Sequence, residues 1–511
     1  MARIASSIVY APLARQGRPP GGGGRTFHFQ TLETRRLLVA EGDPFSLVHR
    51  VDTTGILGEV SAEVRWGDGT QTAATIEQQP ARGNVKIRID YSLDSSGFFA
   101  GANRPRRALL QLAADTIVAQ FADDLEAIRP NAAAKLDWVA NFTNPTTGIS
   151  TLNADGSARD RVAQNLQVGA NEIVVFAGAR DLPGNQRGRG GPGGYAFPNP
   201  GPVTPQQVAQ INAFRETVQF RGESGAAASP ATDFGPWGGA ITFDNHSTQW
   251  FFGNDITAIQ AGQTDFITVA MHELTHVLGF GSAGINQSWA TFTAGNEFSG
   301  PRANAAYVGS GNPPLHQSSH WADSILTQDQ QPTLMRSTLR NQERQTITPL
   351  DVAALDDIGW DVIDSSVTLR AEHVYGNDGV YPVEVVLTGS RFGERVVPVT
   401  HASVTNVPPS LSVAANQTVV ANVPLSVSDI GMISDPGFRV QNGGQTRDEM
   451  FDFSIDWGDG SGPDSGVATI DQIGDASRPT LASFDGTHTF TRAGEFTVTL
   501  RVDDRDGGHS E

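Results

Sequence analysis

At 511 residues the chain is longer than the roughly 100–200 residues of one compact domain, so two to four folding units are expected. Its 36 Lys+Arg against 55 Asp+Glu, a net charge of -19, exclude nucleic acid or an anionic membrane surface as the main partner. The chain has no cysteine, which removes disulfides, Cys-ligated zinc and thiol catalysis, and no apolar run approaches the roughly 18 residues that span a bilayer, so no transmembrane segment is expected.

Residues 1 to 30 lack periodicity, pass through a Gly-rich tract and are expected to be disordered. The stretch FQTLETRRLLVAEGD (29 to 43) carries L-E-x-R-x-L-L-x-A. It resembles the N-terminal export element of planctomycete-type bacterial proteins, which implies a secreted or cell-surface location. With it, residues 1 to 44 read as a disordered leader region.

From 45 onward FSLVHRVD and GEVSAEVRWGDGT alternate apolar and polar residues into a W-G-D-G turn, the pattern of a half-buried strand meeting a tight turn. FDFSIDWGDGSG (451 to 462) and GTHTFTRAGEFTVTLRVDDRDGG (486 to 508) repeat the theme. This pair resembles the PKD-type immunoglobulin-like β-sandwich. A second copy of its later half stands at 370 to 390, where His373, Tyr375, Gly379 and Tyr381 match His488, Phe490, Gly494 and Phe496. Its missing W-G-D-G is the one at Trp66, which suggests a sandwich with a catalytic domain inserted between its halves. Two degenerate half-repeats, or a β-rich pro-segment at 45 to 83, would look the same.

Between the halves the pattern is mixed. NVKIRIDYSL (84 to 93) and NEIVVFAGA (171 to 179) read as strands, and RPRRALLQLAADTIVAQFADDLEAI (104 to 128) reads as a long amphipathic helix. GNQRGRGGPGGY (184 to 195) lacks the Lys-Ser/Thr of a phosphate loop and reads as a flexible surface loop. The expected class is multidomain: an α/β (α+β) catalytic domain over residues 84 to 362, the first half-sandwich at 45 to 83, its later half at 363 to 405, and a second sandwich at 406 to 511.

DFITVAMHELTHVLGF (265 to 280) carries the chemistry. It predicts one helix, capped at Asp265 and ended by Gly279. A spacing of four stacks His272 and His276 on one face, where both imidazoles can reach one ion, and Glu273 beside them can move protons as a general acid-base. Three protein ligands are expected in a catalytic zinc site. The residue six beyond His276 is Ser282, a poor ligand, and the next histidines are His316 and His320.

The run H-E-x-x-H-x-x-G-F resembles the leishmanolysin-like branch of the metzincin zinc proteases, in which an insertion precedes the third histidine. That resemblance implies a secreted zinc endopeptidase, with His320 in His320-Trp321 as third ligand and His316 as the alternative. It further implies Met335 in PTLMRS as the floor of the metal site, a closing helix in ITPLDVAALDDIGWDV (347 to 362) and an extended protein or peptide substrate. PWGGAITFDN places Gly239, Ala240, Ile241, Thr242 and Phe243 where metzincins carry the edge strand that binds substrate. His246 just beyond reads as a surface histidine.

Two rival readings remain at this level. A gluzincin-type protease would use Glu297 as third ligand, and a non-catalytic adhesion or envelope protein would keep the protease domain as a relic. The sandwiches suggest association with a cell surface or extracellular matrix. Their turn acids, Asp68, Asp456, Asp459, Asp503, Asp504 and Asp506, make Ca²⁺ a second candidate cation, against the plainer reading of solvated turn carboxylates.

Overall fold

The computed structural model describes residues 36–281, 288–442 and 445–511. The disorder expected over 1 to 30, the first part of the export-type element and Ser282 lie outside the described residues. What is described is dominated by sheets with few helices, a multidomain β-rich architecture. No described helix is long and apolar enough to cross a membrane.

The first unit is a seven-stranded sheet in the order Arg36–Ala40, Glu394–Thr405, Gly379–Gly389, Val60–Arg65, Gln71–Ile76, Val367–Val374, Pro44–Val51. Alternation explains it: Phe45, Leu47, Val60, Ala62, Val64, Val383, Val385 and Leu387 point inward onto Trp66 and Tyr375, while Ser46, Val48 and Ser61 between them are exposed. The strands of 36–76 thus belong to the same sheet as those of 367–405. The chain departs and returns between neighbouring strands, where Glu77 N–H donates to Thr368 O at 3.1 Å. The expectation of disorder through residue 44 is corrected here. Arg36–Ala40 pairs in parallel with Glu394–Thr405, whose outer edge it covers.

Residues 406–511 form a second sandwich of two four-stranded sheets around Val427, Ile433, Phe451, Ile455, Trp457, Phe484, Phe490 and Val502. The two sandwiches repeat one local device. His373 stacks on Trp66 at 5.0 Å and 10°, with its Nε2 2.8 Å from Asp68; His488 stacks on Trp457 at 4.8 Å and 12°, with its Nε2 2.9 Å from Asp459. The W-G-D-G aspartates therefore hold histidines across the sheet. Asp456 turns back to its own Gly458 N–H, and Asp503 pairs with Arg501.

Between the strands of the first unit sits a four-stranded sheet in the order Lys86–Asp90, Glu172–Arg180, Gly238–Asp244, Gly188–Pro192. The first three are parallel and the last is antiparallel. Glu172–Arg180 is a nearly continuous apolar run because both faces are covered. Ile173, Val175, Ala177 and Ala179 share a core with helices Arg106–Val118 and Phe266–Val277, while Val174 and Phe176 pack with Trp138, Phe214 and Val218.

Three expectations change. The long helix stops at Val118. Beyond it the backbone finds distant partners instead, Ala122 N–H to Asp361 O and Glu126 N–H to Arg221 O, with bridges from Phe121 to Val362 and Ile128 to Val168. Phe121, Leu125 and Ile128 are buried in an extended segment, so their helical spacing was coincidental. The supposed surface loop at 184 to 195 contains a strand, Gly188–Pro192. That strand is the edge of the sheet, whereas Gly239, Ala240, Ile241, Thr242 and Phe243 lie in its interior, paired on both sides. The expected substrate strand is therefore one position too deep, because strand order is a property of the assembled sheet and not of chain order.

Candidate metal centre

The helix Phe266–Val277 is buried along its whole length. Apolar side chains surround it, and its polar members are held. Asp265 caps it by accepting from Thr268 N–H at 3.0 Å, and Arg344 pairs with that carboxylate at 2.7 Å. Gly279 ends it with φ +103, and a Cβ there would meet the Phe234 ring at 2.6 Å, so the chain turn and the packing both require glycine.

His272 Nδ1 lies 3.0 Å from Leu334 O and His276 Nδ1 lies 2.7 Å from Phe280 O. A carbonyl can only accept, so each Nδ1 carries the proton and each Nε2 presents a lone pair. Both lone pairs face His320, whose Nε2 is 3.2 Å from His272 Nε2 and 3.1 Å from His276 Nε2. Three imidazoles ligating one tetrahedral ion at about 2.0–2.1 Å would hold their nitrogens about 3.3 Å apart, so the donor set fits. Among the described residues these three are the one group of three or more His, Asp or Glu side chains whose ligand atoms all lie within 4.8 Å of one another.

Burial is the main reason all three histidines resist protonation. It lowers His272 well below the ordinary range, lowers His276, and takes His320 to about 4, with neighbouring imidazoles adding repulsion at His272 and His320. Neutral imidazole is the form a metal needs. Burial also pushes Glu273 up to about 8, against a hydrogen bond from Gly190 N–H and the charge of Arg189.

His320 reaches the helix because the chain folds back on itself. Gly281 lies so close to Ser319 that a Cβ would stand 2.2 Å from its carbonyl oxygen. Trp321, fully buried, then anchors the strand: its N–H donates to Met335 O at 2.8 Å, and its Nε1 donates to Asp351 at 2.9 Å. His316 faces His320 across a short hairpin but is exposed and outside the triad. Glu297, exposed and bonded by Asn312 Nδ2, is outside it too, so the gluzincin-type reading loses its ligand. His246 is exposed near Asp181.

Met335 is fully buried in the same core as the metal helix, and its neighbour Leu334 supplies the carbonyl that orients His272. Sequence reasoning missed Asp351. Buried in the first turn of the closing helix Pro349–Asp357, its carboxylate accepts from Trp321 Nε1, Leu334 N–H, Met335 N–H and both Thr348 N–H and Oγ. One carboxylate thereby ties together the strand of His320, the Leu334–Met335 segment behind His272 and the closing helix. Only its place at N3 behind a Thr cap was visible in sequence, which reads as ordinary capping.

The edge strand Gly188–Pro192 runs directly over the helix at Glu273. A Cβ on Gly188 would meet Glu273 Oε1 at 2.6 Å, and one on Gly190 would meet Glu273 O at 2.2 Å. Gly188 and Gly190 are thus explained by contact rather than by flexibility. A cavity of about 640 Å³ opens elsewhere, lined by residues including Asp329, Arg344, Arg391 and Arg395.

No family model and no curated protein matches the chain. Among solved structures, fibronectin(III)-like modules of Clostridium thermocellum CbhA match 30% of this chain and 66% of that one, a little under two thirds, at 20% identity and a TM-score of 0.12. A likeness at that score carries no argument.

Proposed function

We propose that the chain is a secreted zinc-dependent endopeptidase of metzincin type, its catalytic domain carried within the first of two PKD-like sandwiches. The convergence of three neutral Nε2 atoms, two of them from the buried helix that also carries Glu273, carries this reading. His272, His276 and His320 would hold the zinc ion. When bound, zinc supplies Lewis acidity toward a peptide carbonyl and lowers the pKa of a water toward about 7. Glu273 takes the proton of the attacking water and returns it to the leaving amine, a task suited to a carboxyl whose proton affinity burial has raised. The edge strand Gly188–Pro192 has one row of backbone groups without a strand partner among the described residues. An extended peptide would add to it as a further strand, bound through main-chain hydrogen bonds with little sequence selectivity.

The test is metal content with casein hydrolysis on wild type, His320→Ala, His316→Ala and Glu273→Gln. One zinc per chain in wild type, lost with activity in His320→Ala and kept in His316→Ala, supports the reading. Glu273→Gln should keep zinc and lose hydrolysis. Zinc bound without any hydrolysis in wild type would favour a non-catalytic surface protein, and no zinc at all would overturn the proposal.

A further inference from the structure

Where the two sandwiches meet, carboxylates collect without matching cations. Glu41 comes from the first sandwich, and Asp435, Glu449 and Asp504 come from the second; their exposures are 3%, 1%, 8% and 3%. Asp378 and the half-buried Asp506 complete the group, close enough that Glu41, Asp435 and Glu449 are each repelled by several of the others. The segments are joined tightly: Val407 N–H donates to Glu41 at 2.8 Å, Phe438 N–H donates to Gly376 O at 2.8 Å, and Gly42 lies against Pro436.

Hydrogen bonding accounts for only part of this. Asp504 is satisfied by Asn406 Nδ2 and by the N–H groups of Asp506 and Gly508. Arg447 pairs with Asp506 and Asn377, leaving Glu41, Asp435 and Glu449 with no ion pair among the described residues. Asp435 is decisive. One oxygen accepts from Gly437 N–H at 2.7 Å, and the other, Oδ2, is buried with no hydrogen-bond partner. Glu449 flanks the same turn: a Cβ on Gly437 would stand 2.8 Å from Asp435 Oδ1 and 3.0 Å from Glu449 Oε1. Burying an unpaired carboxylate is costly, and Glu41, Asp435 and Glu449 together in one seam multiply that cost unless a cation or protons are taken up.

We infer that this seam is a Ca²⁺ site, in which Asp435, Glu449, Glu41 and Asp504 supply oxygens from both sandwiches and the ion fixes the two modules against each other. Ca²⁺ takes six to eight oxygens at about 2.3–2.6 Å and tolerates irregular shells, which suits carboxylates drawn from four separate segments. No three of these acids have oxygens within 4.8 Å of one another, so binding must draw the longer Glu41 and Glu449 side chains toward Asp435. Of the turn acids singled out in the sequence, Asp504 and Asp506 belong to this site, and Asp68, Asp456, Asp459 and Asp503 do not.

The experiment is calorimetric titration of the chelator-treated full chain with CaCl₂ at pH 7.5, with thermal unfolding in 10 mM Ca²⁺ or Mg²⁺. Asp435→Asn and Glu449→Gln serve as variants. The expected result is saturable Ca²⁺ heat and a rise of about 4 °C or more in one transition, smaller with Mg²⁺. Both variants should lose the Ca²⁺ response yet melt no lower than wild type without Ca²⁺, since each removes a repelled charge. Absence of heat and shift in wild type, or a Ca²⁺ response that survives in both variants, would overturn the assignment, the latter by moving the ion elsewhere.

Discussion

Gly190 and Glu273 are in backbone contact: a Cβ on the glycine would stand 2.2 Å from the carbonyl oxygen of the glutamate, and Gly190 N–H donates to the Glu273 carboxylate. The strand proposed to bind substrate and the residue proposed to transfer protons are therefore one mechanical unit. Neither can shift without the other.

Gly190→Ala should consequently lower hydrolysis at least tenfold and cost about 1–3 kcal/mol, the usual range for forcing an atom into a packed contact. Gly191→Ala is the control, because nothing lies within 4 Å of the Cβ it would gain. Casein hydrolysis and thermal melts on the two variants check this; equal effects would mean that the contact does not position Glu273.

Asp351→Asn should weaken zinc binding by roughly 10–100-fold, although Asp351 is not in the metal-ligating group. It orients the strand of His320 through Trp321 and the carbonyl behind His272 through Leu334. The substitution should also cost about 2–4 kcal/mol, since several buried donors lose a charged acceptor. Thr348→Ala removes the helix cap at about 1 kcal/mol and should leave zinc affinity nearly unchanged. Competition with a chromophoric chelator separates the two; similar affinity losses would reduce Asp351 to a capping residue.

Stability of the catalytic domain should fall as pH rises from about 6.5 to 8, above the range in which the lowered values of His272, His276 and His320 make stability rise with pH. Asp123 is 3% exposed with Oδ2 unpartnered, and burial with the nearby Asp361 and Asp233 charges raises it to about 7; Glu223, half-buried beside Asp233, rises to about 8. For acids raised above their unfolded values, the folded state holds extra protons. Their contribution is complete below about pH 4 and is lost as pH rises through about 7 and 8. Calorimetry across this range should show the decline, and Asp123→Asn should flatten its lower part. A wild type whose stability rises over the window would contradict the assignment.

Local chemistry was readable along the chain because local rules govern it. His272, Glu273 and His276 share a helix turn, and Asp265, Gly279 and Thr348 mark helix ends through contacts no more than a few residues away. The pairing of His373 with Trp66 was hinted at only by repetition of a motif, since the two residues approach through a sheet that the intervening chain interrupts. Resemblance, rather than spacing, singled out His320 over His316.

The sequence by itself determined the helix that carries two histidines and a carboxylate, the alternation that makes sandwiches, and the absence of thiol chemistry. Tertiary structure alone decided which strand is the edge, because glycine is disfavoured in strands until a neighbouring backbone leaves no room for anything larger. It alone brought Asp351 behind the ligands and gathered Glu41, Asp435, Glu449 and Asp504 into one seam. Each of those carboxylates reads as a solvated or capping acid in sequence, since desolvation depends on what the rest of the chain packs against it.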